Sequence, residues 1–110
     1  MTDLIHRNDV ADEVYIYQGE DSFHNKSYKL LRRNIDTRFS HETNFVYGEN
    51  GEQIKTTAKF VFDSDDVGYL PAKSKIIKDK VEYIVEDTSS PPGILNPLYT
   101  KVLCRRKDNV

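Results

Sequence analysis

The stretch KIIKDKVEYIVE, Lys75 to Glu86, reads as two short strands around the turn Lys78-Asp79-Lys80. Val81, Tyr83 and Val85 alternate with Glu82, Ile84 and Glu86, so one face of the second strand is apolar and the other is mixed. A period of two with β-branched and aromatic residues suits a half-buried pleated surface, and twelve residues with a central turn leave no room for a helix.

Working outward, Gln53 to Phe62 repeats the pattern. Ala58, Phe60 and Phe62 face one way, and Thr57, Lys59 and Val61 the other. Asn44 to Tyr47 precedes it across Gly48-Glu49-Asn50-Gly51-Glu52, where Asn50-Gly51 can supply the positive φ angles of a hairpin. Glu13 to Gln18 (EVYIYQ) is a strand ended by Gly19-Glu20-Asp21-Ser22, and Tyr99 to Arg105 is a closing strand. Ser27 to Arg38 fits a helical stripe through Tyr28, Leu31 and Ile35, and also an alternation through Ile35, Thr37 and Phe39; strand is the preferred reading. The expected fold is all-β: a small barrel or sandwich of five to seven short strands, with long loops at Asp63 to Lys73 and Asp87 to Pro97. Its core is Val14, Ile16, Phe60, Phe62, Ile76, Val81, Tyr83, Val85, Val102 and Cys104.

The 110 residues suit a single domain, with residues 1–12 and 107–110 as flexible tails. Hydrophobic residues make up 37% and charged ones 31%, with a net charge of -2, which gives no electrostatic reason for tight binding to polyanions or anionic lipid. No apolar run approaches the roughly 20 residues of a membrane-spanning helix, and Met1 to Val10 has no signal-peptide core, so a soluble chain without membrane partners is expected. One cysteine, Cys104, cannot form an internal disulfide and reads as a small core residue in a reducing compartment.

Sites for chemistry are sparse. His6, His24 and His41 lack a second ligand at metal-binding spacing. Asp63-Ser64-Asp65-Asp66-Val67-Gly68 begins like a calcium loop, but Val67 stands at the fifth position and Ser74 at the twelfth, where oxygen ligands and a Glu are required. No Cys-x-x-Cys, Gly-x-Ser-x-Gly or Gly-rich phosphate loop is present. The chain reads as a non-enzyme with no cofactor. Basic residues cluster as Lys29, Arg32, Arg33 and Arg38, and as Lys101, Arg105, Arg106 and Lys107, interleaved with Tyr28, Phe39 and Tyr99. One reading is therefore a small β-barrel nucleic-acid-binding module using Arg32, Arg33, Arg105 and Arg106. Asp36, Glu42 and Asp108 in the same stretches favour a salt-bridged face instead.

From Thr57 to Lys107 the chain resembles the head-closure, or minor capsid, proteins that join portal to tail in tailed bacteriophages. The resemblance is an order of features: the extended Thr57 to Phe62, the approach Tyr69-Leu70-Pro71, the strand pair Lys75-Ile76-Ile77 and Glu82-Tyr83-Ile84-Val85, a loop, and the strand Tyr99 to Arg105. Where that family commonly has Asp-Gly in the turn, this chain has Lys78-Asp79-Lys80-Val81. The resemblance implies a structural neck protein of the virion, assembled in the host cytoplasm. It implies many copies self-associating into a ring on a portal, with portal and tail proteins as partners and packaged DNA in the channel without sequence-specific contact. The apolar loop residues Tyr69, Leu70, Ile94 and Leu95, with Tyr99, are then the candidate partner interface.

Overall fold

The two central residues of the Lys78–Val81 turn, Asp79 and Lys80, both have left-handed backbones, with φ of 51° and 67°. This is the geometry whose twist matches a two-residue hairpin, and it is reached here without glycine. In the computed structural model, which describes residues 9–48, 50–89 and 99–107, this turn joins β4 (Lys75–Lys78) to β5 (Val81–Ser89). The other strands are β1 (Asp9–Glu20), β2 (Lys26–Tyr47), β3 (Gln53–Asp63) and β6 (Tyr99–Arg106). All pairings are antiparallel, and the order β1-β2-β3-β6-β5-β4 closes on itself through a short β1–β4 ladder, Glu13↔Ile77 to Tyr15↔Lys75.

The inward faces follow the alternation. On β3 these are Thr56, Ala58, Phe60 and Phe62, opposite Cys104, Val102 and Thr100 of β6, and all are buried. Phe60 is the hub: its ring centroid lies 5.0 Å from Phe39, 5.3 Å from Tyr83 and 6.0 Å from Phe62. Offset and edge contacts of this kind add to the area that such rings bury. The core also contains Ala11, Val14, Ile35, Ile76 and Val85, with Ile16 and Val81 packed only partly against it.

β2 is the unusual element, because 22 residues serve two neighbours. Its first part, to Thr37, pairs with β1, and from Arg38 onward it pairs with β3. Extra residues fall on β2 opposite the Val14–Tyr15 step and between His41 and Asn44, and on β1 between Tyr17 and Gly19; an extra residue of this kind bends the strand that carries it. Where β2 changes neighbour, the buried Thr37 hydroxyl donates to the Val61 carbonyl at 2.9 Å, satisfying a polar group that would otherwise be costly inside.

Several expectations are corrected here. β1 begins at Asp9, within the supposed N-terminal tail, since Asp9 to Ala11 find partners at Thr37 to Ile35. The Lys107 amide is held by the Glu82 carbonyl at 2.9 Å. β5 extends to Ser89, so Asp87 to Ser89 are ladder rather than loop. The Asp63 to Lys73 segment folds back on its own sheet: Val67 and Leu70 join the core, and Thr88 Oγ1 donates to the Leu70 carbonyl at 2.7 Å. The preferred strand reading of Ser27 to Arg38 holds, since the segment lies within β2.

A candidate docking cleft between two hairpin arms

Pairing between β3 and β6 stops at Ala58↔Cys104. Past that point β3 runs on to Gln53 against β2 alone, while β6 stays with β5 as far as Tyr83↔Arg106. The strands therefore part, and the β2–β3 hairpin becomes an arm. A second arm, the β1–β2 hairpin, extends past the β1–β4 ladder, and the molecule measures 47 × 29 × 25 Å.

Both arm ends are ordered by short-range polar contacts. At the first, Asp21 Oδ1 accepts the amides of Phe23 and Asn25 at 2.8 and 2.9 Å, and these bonds hold its carboxyl below the usual carboxylate range. At the second, the Gly48 amide donates to the Glu52 carbonyl at 2.8 Å, and Gly51 takes a φ of 79°. Aromatic side chains are exposed on both: Phe23 at 80%, Tyr47 at 77% and Phe45 at 57%.

Between the arms lies an open cleft of about 860 Å³. Lys26 and Tyr28 line it from one arm and Tyr47 and Ile54 from the other, over a floor that includes Lys75, Ile84 and Arg105. Charge on the floor is organised in pairs: Arg105 Nε lies 3.1 Å from Glu86 Oε2, and Lys107 Nζ 3.2 Å from Glu82 Oε2. Lys75 sits 4.4 Å above the Tyr28 ring and 5.0 Å from that of Tyr15, a cation–π placement. Desolvation, with Glu82 nearby, pushes the Tyr28 phenol above its ordinary range. Lys26, Lys73, Lys75, Arg105 and Lys107 face Glu52, Glu82 and Glu86, so cations predominate among the described lining residues.

The residues singled out from sequence fall in different places. Tyr69 is exposed, whereas Leu70 is buried; its apolar side chain completes this chain's own core, which removes it from a partner interface. Tyr99 is half-buried at the start of β6, opposite Asp63, and Ile94 and Leu95 lie outside the described residues. The arginines do not converge. Arg32 and Arg33 lie on the part of β2 that pairs with β1, and Arg105 and Arg106 lie on β6. Arg32 pairs with Asp66 at 2.9 Å, Arg33 with Glu13 at 3.2 Å and Arg105 with Glu86. Arg106 is exposed. Among the described residues no group of three or more His, Cys, Asp or Glu side chains is placed to hold a metal ion. Cys104 is fully buried, and desolvation pushes its thiol far above the ordinary range, so it is no nucleophile at neutral pH.

No family model, curated protein or solved structure matches this chain.

Sequence reasoning passed over Lys26, Tyr47, Ile54 and Ile84 as site residues, since they come from different strands and meet only because β3 leaves β6. The one local signal was Tyr47 beside the Gly48–Glu52 turn, an aromatic at a polar hairpin end.

Proposed function

We propose that this protein is a non-enzymatic assembly subunit of a tailed-phage neck, a head-closure protein that forms a ring between portal and tail. The observation that carries the reading is the pair of ordered hairpin arms presenting Phe23 and Tyr47 to solvent. Aromatic side chains held away from the core are what a protein–protein contact buries. The resemblance read over Thr57 to Lys107 motivates the neck assignment, and a closed sheet leaves few edges for uncontrolled association. In this role the ring retains packaged DNA and offers a platform to the tail, without a cofactor. Carboxylate partners on Arg32, Arg33 and Arg105 suit a DNA conduit that does not grip the duplex.

Deleting the gene from its phage is the decisive test. Heads that package DNA and then leak it, beside free tails, are the expected result, with rescue by the wild-type gene and poor rescue by Phe23→Ser. Normal particles from the deletion would overturn the reading. So would salt-sensitive binding of the isolated protein to single- or double-stranded DNA at physiological ionic strength, which would put the nucleic-acid module first.

A further inference from the structure

We infer that the gap where β3 and β6 part is a docking site for an extended, acidic peptide segment of another protein, which adds as a strand along the outer edge of β3 from Gln53 to Thr57. On its inner edge this stretch is paired with β2, through Asn44↔Thr56, Phe45↔Lys55, Val46↔Ile54 and Tyr47↔Gln53. On the other edge the ladder with β6 has already ended at Ala58↔Cys104, so no strand among the described residues covers it. A row of backbone donors and acceptors open on one side is a template for strand addition.

Side chains along the edge specify the peptide. Gln53, Lys55 and Thr57 are exposed on one face, while Ile54 and the buried Thr56 lie on the other, toward the cleft. An added strand would set alternate residues against these two faces. Apolar residues fit beside Ile54 and Ile84 on the cleft side, and acidic ones beside Lys55 on the exposed face. A second copy pairing edge to edge about Lys55 would instead oppose Lys55 to itself, a like-charge contact that disfavours self-pairing. A nucleic-acid strand has no peptide N–H and C=O groups with which to continue the β3 ladder. The site stands whether or not the chain belongs in a phage neck.

The test is an NMR titration of ¹⁵N-labelled protein with a blocked heptapeptide alternating valine and glutamate, with its valine–lysine counterpart and with a decathymidine strand. The expected result is saturable shifts at Gln53 to Thr57 and Arg105 to Lys107 with the valine–glutamate peptide, and slower hydrogen exchange along the β3 edge. Lys55→Glu, at an exposed position, should weaken this binding about tenfold while leaving the core resonances in place. Unmoved edge amides, or equal binding of the valine–lysine peptide, would overturn the proposal. Concentration-dependent shifts of the same amides without peptide would assign the edge to a second copy, and saturable shifts with decathymidine would assign it to nucleic acid; either outcome also overturns it.

Discussion

The Lys78 ammonium lies 3.1 Å from the Asp9 carboxylate, tying the β4–β5 turn to the first residue of β1 across the seam that closes the sheet. Lys78 occupies an inward position, with its side chain only 9% exposed. It donates to Asp79 Oδ2 at 2.7 Å and lies 4.6 Å over the Phe39 ring. Desolvation works against its charge, but the hydrogen bonds and charges of Asp79 and Asp9 outweigh it, and the pKa stands above its ordinary value of 10.5. A raised lysine pKa contributes stability that is full below the unfolded value and is lost as pH rises through the folded one. Denaturant midpoints should therefore fall above about pH 10, and the fall should be shallower in Lys78→Met. Lys78→Ala, which also removes the stem packed inside, should cost about 2 kcal/mol, and Lys78→Met less than half of that.

The adjacent turn is strained by its sequence. Lys80 has a φ of 67°, and a side chain there costs roughly 1 kcal/mol relative to glycine. Lys80→Gly should raise stability by about 0.5 kcal/mol, after the added freedom of the unfolded chain is subtracted. A denaturant midpoint that falls instead would show that the turn leaves the left-handed region in solution.

Phe60 is fully buried among Phe39, Phe62 and Tyr83. Phe60→Ala should cost about 3–5 kcal/mol in equilibrium unfolding. A loss under about 1 kcal/mol would mean that β3 presents its other face to the core.

Asp21 shapes the first arm by accepting two backbone amides, which lowers its pKa. Its contribution is present above the ordinary aspartate value of 3.8 and is lost as pH falls through the lowered folded value. Asp21→Ala should speed hydrogen exchange of the Phe23 and Asn25 amides at neutral pH without moving the global unfolding midpoint. Unchanged exchange would remove the carboxylate as the ordering group.

Cys104 should be silent toward a thiol reagent until the sheet opens. Its labelling rate should rise with denaturant in step with unfolding, and rapid labelling of the native protein would contradict the packing of β6 against β3.

Alternation was enough to identify the strands around Phe60, Tyr83 and Val102, because a period of two with one apolar face is written residue by residue. It also placed a turn at Lys78-Asp79-Lys80, which the structure narrows to Asp79 and Lys80 because Lys78 is still paired with Val81. Leu70 and Ile35 were harder. Leu70 sits in a polar loop, and only the fold-back against Thr88 makes it core, while the polar residues flanking Ile35 dilute its alternation. Closure of the sheet rests on the three-residue ladder of β1 with β4, and the cleft rests on the parting of β3 from β6; both join residues far apart along the chain. Local propensity acts over a few neighbours, whereas the bends in β2 and the packing of the aromatic hub set which distant edges meet. The cleft and the open edge at Lys55 therefore arise from the assembled sheet, because each depends on where β3 leaves β6 and no short stretch of sequence contains both strands.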